Sequence, residues 1–374
     1  MMLRFAALAL LMAHIAAAAD YFLYVGTYTN RQSKGIYGWR FNPDHGDLKP
    51  LGLVAETADP SFLAIHPTGR FLYAVNEVAN FQGQRAGSIS AFAINHETGK
   101  LRLLNTVSSH GPGPCHLALD HTGKCLIAAN YDGGSIAAFP VREDGRLGDA
   151  SSFFQHGGTV ALPQRQGGPH AHAVLIAPDN RFALVSDLGL DQVLSYRLEA
   201  ARALLTAANP PFVKLAPGSG PRHLAFHPNG RFIYCINEIK PTISTFSYAN
   251  GVLKELQTIS TLASEFHGEN TTAEIVVHPD GEFVYGSNRG EDSIAVFKVD
   301  PSNGTLSFLQ RVSTGGKTPR NFAIDPNGSY LFAANQNSDT IVLFNIDRHT
   351  GRLTPANQTL EAPSPVCLTF VPAN

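Results

Sequence analysis

Residues 224–236 read LAFHPNGRFIYCI, which is an apolar run, a Pro-x-Gly turn and a second apolar run. Proline presets the backbone for a turn and glycine closes it, so the stretch is typical of two antiparallel strands joined by a tight turn. Five further stretches follow the same pattern: LAIHPTGR (63–70), LALDHTGK (117–124), VLIAPDNR (174–181), IVVHPDGE (275–282) and FAIDPNGS (322–329). A seventh copy begins at CLTFVP (367–372) and reaches the C-terminus.

The repeat has a period of about 50 residues, which fits a four-stranded propeller blade. Each unit continues with a polar loop, a third strand such as SIAVF (293–297), a hairpin such as DRHTGR (347–352) and a fourth strand. The N-terminal segments YFLYVGT (21–27) and GIYGWRF (35–41) match the second and third strands. The sequence therefore predicts an all-β, seven-bladed β-propeller. Its N- and C-terminal strands share one blade, which leaves the ring without a free edge.

The first nineteen residues differ in kind from the repeat. Arg4 is followed by a mostly apolar run over residues 5–15 and then by four alanines. A charged start, an apolar stretch and an Ala-x-Ala site are typical of a secretory signal peptide. We therefore predict a signal peptide over residues 1–19, cleaved near Ala19, and a single propeller domain over residues 20–374. An uncleaved membrane anchor is the alternative, since the apolar run approaches the length of a membrane span.

Composition narrows the class of protein. The 374 residues include 28 Lys and Arg against 30 Asp and Glu, and this balance argues against a nucleic-acid partner. The sequence has no P-loop, dinucleotide-binding glycine motif or nucleophile elbow, so we expect no cofactor. We expect an exported protein, periplasmic or secreted, that is a monomer or weak dimer and has no membrane contact beyond export. The cysteines lie in strand-like runs without scaffold spacing, which favours buried free thiols: Cys115, Cys125, Cys235 and Cys367.

The position of each polar residue within the repeat also predicts on which face of the propeller it lies. In a propeller the first strand of each blade lines the central channel. The start of that strand and the end of the second strand therefore share one face, and the Pro-x-Gly turns lie on the other. The first strands start at Ser61, Cys115, His172, Arg222, Ala273 beside Glu274, Arg320 and Val366. The second strands end at Thr27-Tyr28, Asn76-Glu77, Asn130-Tyr131, Asp187-Leu188, Asn237-Glu238, Asn288-Arg289 and Asn335-Gln336.

Each of these features also has a structural interpretation. The recurring Asn or Asp at the ends of second strands can cap the loop backbone. The arginines can form salt bridges between blades, and Glu77 can be a solvated rim residue. His170 and His172 have a spacing that metal ligands use, but no carboxylate-rich or cysteine-rich set accompanies them, so we expect no metal. Three histidines precede turn prolines on the far face and are expected to be structural: His66, His227 and His278.

Five segments resemble the family of seven-bladed lactonases: PHAH (169–172), GPRHLAFHP (220–228), YCINE (234–238), SNRG (287–290) and TPRNF (318–322). That family includes propeller-type 6-phosphogluconolactonases and the fungal carboxy-muconate lactonizing enzyme. The resemblance covers roughly residues 20–374. It implies a catalytic set of a histidine, two arginines and a glutamate, which correspond here by position to His172, Arg222, Arg289 and Glu238.

The resemblance implies a lactone hydrolase, that is, a carboxylic-ester hydrolase, acting on a small anionic lactone. We expect His172 to activate water, Glu238 to orient an arginine or act as the base, and Arg222 and Arg289 to hold anionic groups. The expected substrate contacts are His170, Arg320, Asp187, Asn237, Glu274 and Gln336. A lactonizing cycloisomerase and a non-catalytic binding propeller of the cell envelope are the alternatives. Export stands against phosphogluconolactone as substrate, because that lactone is a cytosolic intermediate.

Overall fold

The computed structural model describes residues 20–373 as seven four-stranded antiparallel sheets. The predicted signal peptide lies outside the described residues. Blade 1 joins both ends of the described chain, and its strands from the channel outward are β28 (Pro365–Pro372), β1 (Tyr21–Thr27), β2 (Gly35–Asn42) and β3 (Asp47–Glu56). The predicted seven-bladed ring and its closure by the terminal strands are therefore confirmed.

The other six blades follow in chain order, each given from the channel outward. Blade 2 has β4 (Leu63–Ile65), β5 (Phe71–Asn76), β6 (Ser88–Ile94) and β7 (Leu101–Ser108). Blade 3 has β8 (Pro114–Leu119), β9 (Cys125–Asn130), β10 (Ser135–Pro140) and β11 (Ser152–Gln155). Blade 4 has β12 (Ala171–Ile176), β13 (Phe182–Asp187), β14 (Gln192–Glu199) and β15 (Leu204–Lys214).

Blade 5 has β16 (Pro221–Phe226), β17 (Phe232–Asn237), β18 (Thr242–Ala249) and β19 (Val252–Ser260). Blade 6 has β20 (Thr271–Val277), β21 (Phe283–Arg289), β22 (Ser293–Val299) and β23 (Leu306–Ser313). Blade 7 has β24 (Pro319–Ile324), β25 (Tyr330–Asn335), β26 (Thr340–Ile346) and β27 (Leu353–Glu361). Helix is confined to α1 (Pro163–Gln166) and the 3-10 turns Ala200–Arg202 and Gln336–Ser338 within the described chain. No helix among residues 20–373 is long and apolar enough to cross a membrane.

Adjacent blades are joined by a repeated tyrosine contact. The Tyr234 hydroxyl of blade 5 donates to the Gly304 carbonyl in the outer hairpin of blade 6, at 3.0 Å. Gly304 has a φ of +78°, a conformation that favours glycine, and a Cβ there would lie 2.4 Å from Phe232. The hairpin therefore requires glycine both for its backbone conformation and for lack of space. Tyrosines at the same place in blades 1, 2 and 6 make the same bond to the next blade: Tyr24, Tyr73 and Tyr285. These bonds fix each blade against its neighbour.

The turn histidines have the structural role that the sequence predicts. His227 lies 2.9 Å from the Gly281 carbonyl of the next blade's turn through Nε2. His66 and His278 make the equivalent contacts to Gly123 and Gly328. All three lie at the Pro-x-Gly turns, away from the opposite mouth of the channel.

Six of the seven channel-lining strands begin with a β-bulge. In β16, for example, Pro221 pairs with Asn237 and His223 with Ile236, which leaves Arg222 without a partner residue. A bulge re-aims the side chain of the extra residue and is a frequent neighbour of active sites. The bulged positions are Cys115, His172, Arg222, the pair Ala273 and Glu274, Arg320 and Val366. The bulges therefore place side chains whose identity the sheet does not constrain at one mouth of the channel.

Candidate active site

A pocket of about 190 Å³ lies at this mouth of the channel. Its lining consists of Glu77, Cys115, Tyr131, His172, Glu238 and Arg320. Each of these residues starts a first strand or directly follows the last Asn of a second strand, the positions that the sequence assigns to the mouth. The pocket therefore combines two carboxyl groups, an imidazole, a thiol, a phenol and a guanidinium.

Glu238 is held by two arginines. Its Oε2 accepts hydrogen bonds from Arg222 Nε at 2.8 Å and from Arg289 Nη2 at 2.9 Å. Burial works against its charge, but Arg289, Arg222 and Arg320 outweigh burial and lower the pKa of the carboxyl. Glu238 is therefore a fixed carboxylate at neutral pH.

Arg222 and Arg289 lie behind Glu238, and the pocket lining includes neither of them. Arg222 is only 2% exposed, and its Nη1 donates to the Ala273 carbonyl at 2.7 Å. Arg289 Nη2 also donates to the Thr272 carbonyl at 2.7 Å, and burial lowers the pKa of Arg289 to about 10. Both arginines therefore contact Glu238 and a backbone carbonyl in this structure, and the expectation that they hold anionic groups of the substrate stays a prediction.

His172 lies at the floor of the pocket. The side chain is almost fully buried, and its Nε2 lies 4.0 Å from Glu238 Oε2. Burial, followed by the charge of Arg222 and other neighbouring groups, holds the pKa of His172 well below its usual range. The imidazole is therefore neutral at neutral pH and can accept a proton. Tyr131 and His223 pack edge-on against the ring at centroid distances of 5.4 and 5.3 Å, which fixes its orientation.

Cys115 contacts the same histidine but is a poor nucleophile. Its Sγ lies 3.8 Å from His172 Nδ1 and donates to the His172 carbonyl at 3.2 Å. Burial raises the pKa of the Cys115 thiol, so the reactive thiolate is suppressed. The geometry therefore favours water over the thiol as the attacking group.

Arg320 is the free cation of the pocket. Its guanidinium lies 5.3 Å above the ring of Tyr28 and lines the pocket, and among residues 20–373 no hydrogen bond or ion pair to it is found. Burial works against its charge, but acidic neighbours, with Tyr28 and Glu77 foremost, outweigh burial and raise its pKa. The guanidinium is therefore charged and has its donors available for a ligand.

Glu77 belongs to the pocket, so its interpretation as a solvated rim residue is wrong. The carboxyl is partly buried, and its Oε2 accepts hydrogen bonds from the Tyr28 hydroxyl at 2.9 Å and from the Ser61 hydroxyl. Burial raises the pKa of Glu77 despite the nearby charge of Arg320. A signal was present in the sequence, because Asn76-Glu77 ends its strand as Asn237-Glu238 does.

Comparison with known proteins identifies the family of the chain. The family model described as "Lactonase, 7-bladed beta-propeller" matches residues 22–370. The chain belongs to this lactonase family.

Relatives of this lactonase cover nearly its whole length. It is 36% identical over 353 residues to a 6-phosphogluconolactonase of Bacillus subtilis, which covers 94% of this chain and 98% of the relative. A 6-phosphogluconolactonase of Formosa agariphila is 36% identical over 299 residues, covering 79% and 84%. The solved structure of the Pseudomonas aeruginosa periplasmic gluconolactonase superposes with a TM-score of 0.90 at 37% identity, covering 95% of this chain and all of that one.

Two of the remaining predicted contacts of this lactonase, Asp187 and Asn237, are engaged in hydrogen bonds inside the fold. Asp187 is fully buried, and its oxygens accept from the His170 and Leu190 amides and lie 2.6 Å from His156 Nδ1. Asn237 is also fully buried and donates to the hydroxyls of Thr242 and Ser244. Their polar groups are therefore engaged inside the fold, and the expectation that Asp187 and Asn237 touch substrate stays a prediction.

Glu274 lies beneath the pocket and not in it. Its Oε1 is 2.8 Å from His223 Nδ1, and its Oε2 accepts from the Asn321 amide. Burial raises the pKa of Glu274 to about 7. The side chain lines a separate cavity of about 410 Å³ along the channel, whose other walls are mostly apolar. Glu274 therefore faces this second cavity, and its expected contact with substrate stays a prediction.

His170 and Gln336 lie outside the pocket lining. His170 stacks on Tyr131 at a centroid distance of 4.3 Å and donates through Nδ1 to the Tyr131 carbonyl at 2.9 Å, so it supports a pocket wall. Gln336 begins a 3-10 turn, and its backbone N–H donates to the Thr318 carbonyl. In the part of the chain that the structure describes, no three His, Cys, Asp or Glu side chains converge as a metal site would require. The four cysteines are buried free thiols, as predicted.

Proposed function

We propose that this lactonase opens a sugar-type or other anionic lactone with water at the mouth of the propeller channel. The activity is that of a carboxylic-ester hydrolase. The observation that carries the proposal is that one pocket holds a neutral, oriented His172, a fixed carboxylate at Glu238 and an uncommitted guanidinium at Arg320. The names of the relatives, 6-phosphogluconolactonase and gluconolactonase, support a sugar lactone.

The first step is addition of water to the lactone carbonyl. His172 takes one proton from the water as the water oxygen bonds to the carbonyl carbon. The imidazolium that forms is stabilised by Glu238, whose Oε2 is 4.0 Å from His172 Nε2. Arg222 and Arg289 keep this carboxylate charged and in place.

The second requirement is a donor for the developing oxyanion. Arg320 supplies it, since its N–H groups are unoccupied and a guanidinium fork suits an oxyanion or a carboxylate. The tetrahedral intermediate then collapses, the ring C–O bond breaks, and the ring oxygen takes up a proton. The product is the open hydroxy acid, which releases one proton to solvent at neutral pH.

The proposal includes export. The signal peptide predicted over residues 1–19 would send the protein to the periplasm or outside the cell, and the P. aeruginosa relative is named as periplasmic. All pocket residues come from one chain, so a monomer or weak dimer suffices for the reaction. The intact mass of the secreted protein tests cleavage near Ala19, and retention of the full-length mass in the membrane fraction would overturn it.

A pH-stat assay over a panel of sugar and aliphatic lactones tests the proposed reaction. The purified protein should release one equivalent of acid per lactone at a rate above the spontaneous one, and a chelator should leave that rate unchanged. Release of no acid above the blank from any lactone would support a binding propeller instead. Loss of activity with chelator would contradict the metal-free site.

The pH dependence of kcat/KM should reflect the lowered pKa of His172. A base of depressed pKa stays unprotonated as the pH falls, so the acid limb should lie well below pH 6.5. Initial rates between pH 4 and 8 check this expectation. An acid limb centred at or above pH 6.5 would mean that the base is not the buried imidazole.

Arg222→Lys should lower kcat by about 10- to 100-fold with little change in KM. The lysine keeps the charge but cannot hold Glu238 and the Ala273 carbonyl together, and a hydrogen bond to a charged group contributes roughly 1.5–3 kcal/mol. Arg181→Lys is the matched control, because Arg181 makes a forked contact with Asp179 on the exposed far face. Equal rates for the two variants would exclude the positioning role.

A further inference from the structure

The pocket holds two glutamates in opposite electrostatic settings. Glu238 is contacted by two guanidinium groups, whereas the donors to Glu77 are two neutral hydroxyls, from Tyr28 and Ser61. Arginines accordingly lower the pKa of Glu238, while burial raises that of Glu77. The pocket therefore holds one carboxylate that two guanidinium groups keep charged and one carboxyl whose protonation burial favours and Arg320 opposes.

The hydrogen bonds of Glu77 also show which oxygen can carry that proton. Tyr28 and Ser61 both donate to Oε2. Oε1 has no hydrogen-bond partner anywhere in residues 20–373. The two hydroxyls therefore fix the carboxyl through one oxygen and leave the other available to donate to a ligand in the pocket.

Lactone opening needs such a donor. The leaving group is the ring oxygen, which becomes an alkoxide unless it is protonated as the C–O bond breaks. His172 has taken up the proton of the attacking water, and Arg320 is occupied by the oxyanion. The His172 imidazolium can also give a proton, but it must then reach the ring oxygen as well as the attacking water. The remaining groups are weaker acids than a carboxyl, since burial raises the pKa of Tyr131 to about 12 and also raises that of Cys115.

We propose that Glu77 is the general acid that protonates the ring oxygen of the opening lactone. The inference rests on the proposed hydrolysis and adds a catalytic residue to it. As the ring C–O bond breaks, its electron pair takes the proton from Glu77, which becomes a carboxylate. The proton held by His172 then returns to Glu77 through solvent, and ionisation of the product acid accounts for the one proton released.

The groups around Glu77 set its pH response. Tyr28 packs against it from blade 1, Cys115 from blade 3 and Arg320 from blade 7, with Arg222 more distant in blade 5. Because the acid must be protonated, the wild-type rate should fall as the pH rises through the raised pKa of Glu77. This alkaline limb adds to the acid limb caused by His172 and gives a bell-shaped profile.

The Glu77→Gln variant tests the proposal when its loss of kcat is compared on two lactones whose leaving groups differ in their need for protonation. Glutamine keeps the shape and the contacts of Oε2 but transfers no proton, so kcat on an aliphatic sugar lactone such as δ-gluconolactone should fall by about 100-fold. On dihydrocoumarin, whose leaving group is a phenol that needs little protonation, the fall should be less than about 5-fold. The alkaline limb of the profile should also disappear in the variant.

The controls separate this inference from the function on which it rests. Wild-type protein that hydrolyses no lactone contradicts the proposed function, whatever the variants do. Active wild type with equal losses on both substrates, or with an unchanged alkaline limb in Glu77→Gln, contradicts the acid role alone. Glu97→Gln, at an exposed far-face turn, should match wild type, and thermal unfolding checks that Glu77→Gln is folded. If the wild-type protein does not hydrolyse dihydrocoumarin, the loss or retention of the alkaline limb in Glu77→Gln tests the acid role.

Discussion

Replacing His172 with alanine should lower kcat/KM for lactone hydrolysis by about 10²- to 10⁴-fold, the range that a positioned general base contributes. The imidazole is the pocket group that is both neutral and oriented, because burial depresses its pKa and Tyr131 and His223 hold its ring. Glu238 is less suited to this role, since its Oε2 is already engaged by Arg222 and Arg289. Initial rates at saturating and limiting lactone check the expectation.

Two further variants keep this result interpretable. His172 is buried, so His172→Gln, which retains most of the volume, should lose as much activity as alanine with less effect on the thermal midpoint. His227→Ala, which removes a far-face turn histidine of the same fold, should keep wild-type kcat/KM. Full activity in a folded His172→Gln variant would remove the histidine from the mechanism.

Arg320→Met should lower kcat/KM by about 10²- to 10³-fold, as expected for the loss of one oxyanion donor. Arg320→Lys should recover part of the loss, because an ammonium supplies charge but not a fork. A second effect is specific to this site. Arg320 contributes to the low pKa of His172, so its removal raises that pKa and should move the acid limb of kcat/KM to higher pH.

The matched control for this change is Arg231→Met. Arg231 lies 5.2 Å above the ring of Phe232, much as Arg320 lies above Tyr28, but it is exposed on the far face. Its removal should leave both rate and pH profile unchanged. Equal rates for Arg320→Met and Arg231→Met, or an acid limb that does not move, would contradict the assignment.

The fold follows from the sequence because its determinants are local and repeated. The turn between the first and second strands returns in six copies, four of them with Pro-x-Gly, and the unmatched terminal strands β28 and β1 require each other as partners. Register then placed the polar residues at one mouth without any side-chain detail. The bulges of the channel strands could not be read from the sequence, although they explain why Cys115, His172 and Arg320 face the pocket.

The roles within the mouth depend on contacts between blades, which the repeat does not encode. Arg222 and Arg320 both start first strands, yet Arg222 is turned to Glu238 and the Ala273 carbonyl while Arg320 remains free. Asp187 fits the loop-capping interpretation, since it accepts from the Leu190 amide, whereas Asn237 donates to hydroxyls of Thr242 and Ser244 instead of capping the loop backbone. For Glu77 the structural interpretation, a solvated rim residue, failed. The Tyr28 and Ser61 hydroxyls, which lie outside its own second strand, hold its carboxyl in the pocket.

Lactone hydrolysis in H₂¹⁸O tests the central claim most directly. With the spontaneous reaction subtracted, mass spectrometry of the product should show enzyme-dependent formation of a hydroxy acid with one ¹⁸O in its carboxyl group, as required when water adds to the carbonyl carbon. The His172→Gln variant should reduce this product to near the blank. An isomerised product without ¹⁸O would identify a cycloisomerase, and the absence of any product above the blank would contradict an enzyme at this mouth.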